Sequence, residues 1–325
     1  MPFLPGFDER WQDAPDYILG ITHDIWEARR IDSLHNYYGP DLIVRSPACV
    51  VKGNKGIIGA TQSTLAEFPD RELLGEDVIW TPTHDDSFLS SHRLLCTATH
   101  SGDGMYGAAT GKRLEYRILA DCWCQTNAVK DEWLVRDQGA IVLQMGCDIV
   151  DWTRDLIARE GGPEACVPPL TAQTNVAGPY TGAGNDHETG QRLADILGQI
   201  MQAGFCVIPK AYDRACALHY PSHTSAHGHQ AADQFWLGLR SALPTANFTV
   251  DHVIGQTSDI MPPRAAVRWS LHGTHDGFGH FGKPTGAPVY IMGITHAEFG
   301  PWGLRREYTL IDETAVWKQI LLHTG

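Results

Sequence analysis

Histidines and carboxylates recur at matched positions in two parts of this chain, and both kinds of side chain can move protons near neutral pH. His100 in the first part corresponds to His275 in the second, and Asp137 corresponds to Asp312. Imidazole and carboxyl groups act as general acids and bases when a cavity brings their pKa toward the working pH. The chemistry to expect from these residues is proton transfer, and the elements around them must supply the cavity.

Each matched pair also has a structural interpretation. His100 and His275 stand beside glycines at the end of a predicted strand, where they could polarise a substrate carbonyl or hold a turn through backbone hydrogen bonds. Asp137 and Asp312 could face a cavity or cap the first turn of a helix. Their occurrence in both parts of the chain favours a shared structural role.

A histidine-rich segment, His219 to His229, occurs only in the second part. Its four histidines in eleven residues could bind a transition metal. Pro221 and Gly228 exclude a helix that would gather them on one face, and the segment contains no acidic or thiol partner. We therefore expect no metal site there, and we expect a loop that is either solvated or at the rim of a cavity.

The composition is that of an acidic globular protein. Of 325 residues, 25 are Lys or Arg and 38 are Asp or Glu, giving a formal net charge of −13, and 43% are hydrophobic. Such a surface repels phosphate backbones and anionic lipids, so we expect neither nucleic-acid nor membrane partners. No apolar run or basic leader predicts a membrane span or a secretory signal, which favours a soluble cytoplasmic protein with reduced cysteines.

An internal duplication organises the chain. When the sequence is shifted by 175 residues, Gly53–Gln144 aligns with Gly228–Gln319 without a gap, and sixteen positions are identical. Average residue usage gives roughly six identities by chance over such a window. Residues 161–187 separate the copies, and nine of these 27 residues are Gly or Pro. We therefore predict domains at 10–160 and 186–325, joined by a connector at 161–185.

Both copies have the same predicted order of elements. Two helical segments open each copy, at 17–28 and 33–38 in the first and at 192–203 and 210–218 in the second. A strand at 42–50 and a helix from Asn54 to Phe68 follow in the first copy. Alternating stretches then predict strands at 76–81, 88–100, 113–124 and 132–143. Helices followed by an antiparallel meander predict an α+β fold.

Several short motifs in the second copy resemble a known family. They are Gly273-Thr274-His275-Asp276-Gly277, Pro284-Thr285-Gly286-Ala287-Pro288-Val289, Glu307-Tyr308 and Asp312. The first copy has a diverged form, with Phe68-Pro69-Asp70, Thr99-His100-Ser101-Gly102, Thr110-Gly111, Glu132-Trp133 and Asp137. These patterns resemble the SnoaL-like polyketide cyclases of the nuclear-transport-factor-2-like superfamily.

The resemblance implies two tandem cone-shaped α+β barrels, each with N-terminal helices packed on a strongly curved, mostly antiparallel sheet. It implies a reaction without metal or organic cofactor, in which a cavity aspartate acts as acid and base on a small-molecule substrate. Aldol cyclisation, isomerisation or dehydration of a small carbonyl compound are the reactions expected. Because family members commonly dimerise through their sheets, the resemblance also implies a pseudo-dimer within one chain, and further homo-oligomers stay open.

The chain departs from the family at the expected aspartate. Counting from the T-G motif places Thr295 in the second copy and Ala120 in the first at that position. The next residues, His296 and Asp121, are titratable, but neighbours on a strand face opposite sides. Either the register slips by one residue and these two side chains enter the cavities, or both copies have lost the standard acid and base.

The second copy is the better candidate for chemistry, because it keeps the fuller motifs and most of the 16 histidines. The catalytic candidates are His219, His275, His296 and Asp312. The candidates for lining a cavity or binding substrate are Thr295, Tyr308, Arg268, Glu307, His100, Asp121, Trp133 and Asp137. Arg268 and Arg93 share a strand position, for which an ion pair with Glu307 or Glu132 is expected. A non-catalytic protein that binds a small hydrophobic ligand is the alternative function.

Overall fold

The computed structural model describes residues 3–325, which form two halves of the same architecture. The first half contains the helices α1 (Ala14–Thr22), α2 (Leu34–Tyr37), α3 (Asn54–Glu67), α4 (Gln138–Gln144) and α5 (Ile149–Arg159). Its strands are β1 (Tyr38–Ser46), β2 (Cys49–Lys52), β3 (Glu72–Pro82), β4 (Ser87–Thr99), β5 (Arg113–Gln125) and β6 (Ala128–Arg136).

The second half repeats this order. Its helices are α6 (Glu188–Met201), α7 (Ile208–Ala211), α8 (His229–Ala242) and α9 (Glu313–Thr324). Its strands are β7 (Tyr212–Tyr220), β8 (Thr224–His227), β9 (Asn247–Gln256), β10 (Arg264–Thr274), β11 (Pro288–Gly300) and β12 (Gly303–Leu310). Both halves are therefore α+β, in agreement with the prediction.

Each half contains one six-stranded mixed sheet. The strand orders are β2-β1-β6-β5-β4-β3 and β8-β7-β12-β11-β10-β9. Only the pairs β1–β6 and β7–β12 are parallel, and all other neighbours are antiparallel. Opposite faces of each strand therefore carry alternate residues, and this alternation decides which side chains face the helices.

The helices pack on one face of each sheet because their apolar residues recur at helical spacing. In α6 these are Leu193, Ile196, Leu197 and Ile200, all buried in the core of the second half. The first turn of α1 is fixed by Asp13, whose carboxylate accepts from the Asp16 amide at 2.8 Å. Both helices lie against the sheet of their own half.

The structure corrects three predicted boundaries. The strand predicted at 132–143 ends at Arg136, because Asp137 caps α4 by accepting from the Ala140 amide. Most of the segment predicted as helical at 210–218 belongs to β7. The strand predicted at 42–50 is two strands, β1 and β2, joined by a tight turn.

The two sheets pack against each other through the faces that point away from the helices. Leu119, Trp133 and Val135 of the first sheet form one buried cluster with Tyr290, Met292, Ile294 and Leu310 of the second. The connector is built into this contact, since Leu170 belongs to the same cluster and Gly184 forms a bridge with Val253. Within the described residues, no helix is both long and apolar enough to cross a lipid bilayer.

Candidate functional site

The first half encloses a cavity of about 330 Å³ between its sheet and the helices α1 and α3. We call it the first-half cavity. Most of its wall is apolar, including Ile18, Ile21, Trp26, Val44, Ile57, Leu73, Leu94, Ile118, Ala120, Val129 and Leu134. Its polar wall residues include Tyr38, Glu67, Arg71, His92, Tyr106, Glu132, Arg136, Gln138 and Asp312. An apolar space with a few polar groups is the usual form of a small-molecule site.

The corresponding region of the second half is filled by tryptophan. Trp269 pairs with Gly293 in the same register in which Leu94 pairs with Ile118 in the first half. The Trp269 ring lies so close over Gly293 that a Cβ there would come within 2.3 Å of it. Trp269 and Trp236 are both completely buried. The first half therefore has room for a ligand where the second half has an indole ring.

Glu132 is the carboxylate that faces the first-half cavity from the sheet. It lies on β6 opposite Cys122 of β5, on the same face as Leu134 and Arg136. Its side chain is buried, and its Oε2 atom has no hydrogen-bond partner among residues 3–325. Burial raises the pKa of Glu132 to about 7, a hydrogen bond from Tyr38 opposes the shift, and the charge of Asp131 adds to it. Glu132 can therefore both accept and donate a proton near neutral pH.

His92 faces the same cavity from β4. It pairs with Ala120 of β5, whose small side chain leaves space between His92 and Leu134. Burial lowers the pKa of His92 to about 4, although the charge of Asp121 opposes the shift. The imidazole is therefore neutral at pH 7. Its Nδ1 atom has no partner within the part of the chain that the structure describes, which leaves it free to hydrogen-bond a ligand.

Asp312 reaches the first-half cavity from the second half of the chain. Its carboxylate caps α9 by accepting from the amides of Thr314 at 3.0 Å and Ala315 at 3.2 Å. Burial raises the pKa of Asp312 to about 6. Of the predicted catalytic candidates, Asp312 is one that the structure places at the cavity wall, and it is also the helix cap that the sequence favoured.

Glu307 occupies the position in the second half that Glu132 occupies in the first. Burial raises the pKa of Glu307 to about 7 as well. Thr309 donates to its Oε1 at 2.7 Å and Tyr220 donates to its Oε2 at 3.3 Å. Both carboxylate oxygens of Glu307 thus have partners inside a filled core, whereas Glu132 has an unpartnered oxygen beside a cavity.

The register resolves the alternatives for Ala120 and Thr295. Ala120 lines the first-half cavity, and Thr295 is buried in the second half, where it accepts from Trp269 Nε1 at 3.0 Å. His296 and Asp121 lie on the opposite faces, in the contact between the two sheets, where Ser91 donates to Asp121 at 2.5 Å and lies 2.7 Å from His296 Nε2. The register does not slip, and neither side chain enters a cavity.

Asp121 is the centre of the polar network between the sheets. Arg268 contacts its Oδ2 at 3.1 Å and His252 lies 3.5 Å from the same atom. Burial acts to raise the pKa of Asp121, but the hydrogen bond from His252 and the positive charge of Arg268 hold it well below its ordinary value. Burial lowers the pKa of His296, and the charge of Arg93 lowers it further. These groups join the two halves.

Arg93 and Arg268, which occupy the same repeat position, each contact an aromatic residue of the other half. Arg93 pairs with Glu76 at 2.9 Å and Arg268 pairs with Asp121, so the expected ion pairs with Glu132 and Glu307 are wrong. The physical reason is the alternation of the strands, which places Arg93 and Arg268 on the faces opposite those glutamates. The guanidinium of Arg93 lies 3.5 Å from the ring centroid of Tyr308, and that of Arg268 lies 4.0 Å from a ring centroid of Trp133. Tyr308 and Trp133 are therefore residues of the sheet contact.

The matched histidines support turns. His100 Nδ1 lies 3.1 Å from Thr110 Oγ1, and His275 Nδ1 lies 3.0 Å from Thr285 Oγ1. The carbonyl groups of both histidines accept the amides of the glycines that follow these threonines. His100 and His275 are both buried, and His100 also lies 3.3 Å from Glu67. Neither histidine lines the first-half cavity.

The remaining candidates lie at the junction of the halves. Asp137 caps α4 and also accepts the amides of Ser222 at 2.8 Å and His223 at 3.0 Å from the second half. His219 stacks on Tyr308 with the ring centroids 4.4 Å apart. Burial lowers the pKa of His219 to about 4. No group of three or more His, Cys, Asp or Glu side chains in residues 3–325 is arranged to hold a metal ion.

Apart from Asp312, the sequence does not identify the titratable residues that face the first-half cavity. The sequence shows Glu132 as a repeated position but predicts an ion pair for it, and it gives no signal for His92, Tyr38, Arg71 or Arg136. Strand alternation carried the signal, because Glu132, Leu134 and Arg136 share one face of β6. What the sequence did not show is which half keeps an open cavity.

No protein-family model matches this sequence, and no curated protein matches it. Solved structures do match, and many of them are SnoaL-like polyketide cyclases. IdmH from Streptomyces antibioticus, a candidate polyketide cyclase, is 22% identical, with alignment over 41% of this chain and 97% of its own and a TM-score of 0.35. A SnoaL-like polyketide cyclase from Agrobacterium tumefaciens is 15% identical over 41% of this chain and 98% of its own, with a TM-score of 0.33. AclR from Streptomyces galilaeus, a candidate hydroxylase, is 15% identical over 41% and 80%, with a TM-score of 0.35. Each is similar to a stretch about as long as one half of this chain.

Proposed function

We propose that the first half is an acid–base enzyme that moves a proton at the carbon next to a carbonyl group of a small, mainly apolar compound. The observation that carries this proposal is Glu132, with an unpartnered carboxylate oxygen in an apolar cavity and a pKa of about 7. A base with this pKa is half ionised at neutral pH and can return the proton that it takes. The carbanion equivalent formed in this way would then undergo aldol cyclisation, isomerisation or dehydration.

In the proposed reaction, Glu132 takes the proton from the carbon and the C–H electron pair forms the enolate double bond. The carbonyl π electrons move to oxygen, where the neutral imidazole of His92 donates a hydrogen bond from a ring nitrogen. Tyr38 lines the cavity with Glu132, and its hydroxyl lowers the pKa of Glu132, which favours the ionised form that acts as the base. The apolar wall excludes water, which strengthens each of these polar contacts.

A specific observation favours the alternative of a binding protein without turnover. Ala120 stands where the family resemblance implies an aspartate, so the first-half cavity lacks that group. In this alternative Glu132 serves only as a hydrogen-bond partner for a ligand. The two functions differ in whether the protein accelerates proton exchange at carbon.

The test is deuterium exchange at the α-carbon of 2-tetralone, a bicyclic apolar ketone, followed by proton NMR in D₂O. We expect the wild type to exceed the buffer rate and Glu132→Gln to lose about 10²- to 10⁴-fold of that acceleration, the usual contribution of a positioned base. The exchange rate should rise with pH with a midpoint near 7, since the ionised form of Glu132 is the base.

Glu307→Gln is the matched control, because Glu307 has the same repeat position and a similarly raised pKa but lies in a filled core. We expect it to keep the acceleration. Binding of 2-tetralone without any acceleration by the wild type would support the binding protein instead. Equal losses in both variants would contradict the assignment of Glu132.

A further inference from the structure

Two arginines line the first-half cavity without an acidic partner. Arg71 precedes β3 and Arg136 ends β6, and both belong to the cavity wall. Arg71 is 5% exposed, and the Nε atoms of both side chains are buried without a hydrogen-bond partner anywhere in residues 3–325. No described carboxylate lies within 4.0 Å of either guanidinium group. A buried cation without a counter-charge is costly and calls for an explanation.

The other buried arginines of the described chain show the contrast. Each of them has a carboxylate partner: Arg45 with Asp131, Arg93 with Glu76, Arg264 with Asp77, and Arg268 with Asp121. Arg93, Arg264 and Arg268 lie in the contact between the two sheets, and Arg45 lies under the connector, where its Nε donates to the Val176 carbonyl at 2.8 Å. Arg71 lies instead at a cavity, so its missing partner has room to come from outside the chain.

Apart from Glu132, the carboxylates of the cavity wall are Glu67 and Asp312, and both accept hydrogen bonds from other groups. Glu67 accepts from the Tyr106 amide at 2.7 Å and lies 3.3 Å from His100. Asp312 caps α9, and its Oδ1 accepts the amides and hydroxyl at the start of that helix. The charge of Arg136 lowers the pKa of Asp312, but neither Asp312 nor Glu67 lies within 4.0 Å of the guanidinium group of Arg136 or Arg71.

The two guanidinium groups converge on one end of the cavity. Arg136 pairs with Ile118, two residues from Tyr116 on the same face of β5, and Leu73, two residues after Arg71, pairs with Cys96, which lies opposite Tyr116. The charges of Arg71 and Arg136 also each lower the pKa of Tyr116 against the effect of burial. Tyr106 and Gln138, which hydrogen-bond each other, also line this end. This end of the mainly apolar cavity therefore carries two guanidinium groups, a tyrosine hydroxyl and an amide.

We propose that Arg71 and Arg136 bind a carboxylate group of the ligand, so that the substrate is an organic acid with an apolar body. A guanidinium group matches a carboxylate with two parallel hydrogen bonds, and the unpartnered Nε atoms supply donors for it. This inference rests on the proposed function for its account of turnover, but the binding of an acid can be measured without turnover.

The placement also orders the substrate. Arg136 lies four residues after Glu132 on the same face of β6, which separates their Cα atoms by roughly 13 Å along the strand. An acid held at the arginines would present its apolar body along Ile118 and Leu134 and its far end to Glu132. The carboxylate of the substrate, bound by the arginines, therefore lies at the opposite end of the molecule from the carbon that loses a proton to Glu132.

The experiment compares 2-naphthylacetate with its neutral isostere 2-naphthylacetamide by isothermal titration calorimetry at pH 7.5. We expect the acid to bind the wild type about 10- to 100-fold more tightly, the range of a hydrogen bond between charged groups. Arg71→Gln and Arg136→Gln should each reduce that preference at least about tenfold, while Arg71→Lys keeps part of it. Equal binding of the two probes, or no binding of either, by the wild type would overturn the proposal.

Arg159→Gln is the control for charge at the surface. Arg159 is exposed and hydrogen-bonds the carbonyl of Met105, a residue of the cavity rim. It should keep the full preference for the acid, and a loss equal to that of Arg71→Gln would contradict the assignment. Glu132→Gln should also keep the preference for the acid. If the wild type prefers the acid but does not accelerate deuterium exchange, catalysis is rejected and the acid-binding site remains.

Discussion

At the scale of single residues, burial gives the same amino acid different roles in the two halves. Glu132 and Glu307 both have pKa values raised to about 7 because both are removed from water. The two carboxylate oxygens of Glu307 accept hydrogen bonds from Thr309 and Tyr220. Glu132 has one oxygen without a described partner at the first-half cavity. The carboxylate that we propose as the base is thus distinguished from Glu307 by an unpartnered oxygen and not by its pKa.

The raised pKa of Glu132 carries a stability consequence. The folded protein holds the proton of Glu132 more tightly than the unfolded chain does. The contribution of Glu132 to the free energy of unfolding is therefore most favourable below about pH 4.5 and is lost as the pH rises through about 7. The shift corresponds to a loss on the order of 3 kcal/mol. Glu132→Gln, which cannot ionise, should therefore gain stability relative to the wild type between pH 5 and pH 8.

The measurement is the difference in unfolding free energy between Glu132→Gln and the wild type, obtained by urea denaturation at pH 5 and at pH 8. Other titrating groups contribute equally to both proteins and cancel in that difference. A difference that stays constant from pH 5 to pH 8 would show that Glu132 is not perturbed as described.

At the scale of elements, one pair of strand positions decides which half is hollow. Leu94 and Ile118 face the first-half cavity, and the equivalent Trp269 and Gly293 close the second half. The indole lies directly on the glycine, which lacks the Cβ that would collide with it. The two halves have the same strands, and the different side-chain volumes at this pair of positions leave a cavity in the first half and a filled core in the second.

Transferring that exchange should close the first-half cavity. The double variant Leu94→Trp with Ile118→Gly places an indole where Trp269 lies in the second half, with matching space beneath it. We expect it to fold and to lose binding of 2-naphthylacetate by about tenfold or more, measured by calorimetry, since steric exclusion removes the apolar contacts. Ile118→Gly alone is the control: it removes apolar contacts but leaves the cavity open, so it should lose less affinity than the double variant. Unchanged affinity in the double variant would place the ligand elsewhere.

The elements also show how far the sequence could be read. The α+β fold followed from hydrophobic periodicity and from the order of elements in each copy. The family resemblance pointed to Thr295 and Ala120 as the inward positions, but the sequence left a slip of one residue open. The choice of half did not follow, because the histidines that favoured the second half lie in turns and in the sheet contact. Motif retention reports on backbone geometry, whereas an open cavity depends on the volumes of a few facing side chains such as Trp269.

At the scale of the whole molecule, the two halves are held by a buried polar network as well as by apolar contact. Asp121 of the first sheet accepts from Ser91 and pairs with Arg268 of the second, and Arg93 stacks on Tyr308. The repeated arginines thus serve the association of the halves. The second half also supplies Asp312 to the first-half cavity, so a complete cavity requires both.

The buried pair Asp121–Arg268 gives a prediction for the molecule as a whole. Arg268→Met removes the partner of a buried carboxylate, and we expect a loss of about 3–5 kcal/mol of unfolding free energy, measured by urea denaturation. Adding Asp121→Leu should recover most of that loss, because an apolar pair leaves no buried charge unpaired. Lys130→Met with Asp151→Leu changes the charges in the same way at two residues outside this network and should shift stability by no more than about 0.5 kcal/mol. If the double variant at Asp121 and Arg268 is no more stable than Arg268→Met alone, the cost lies in lost contact with Trp133 and not in the uncompensated charge.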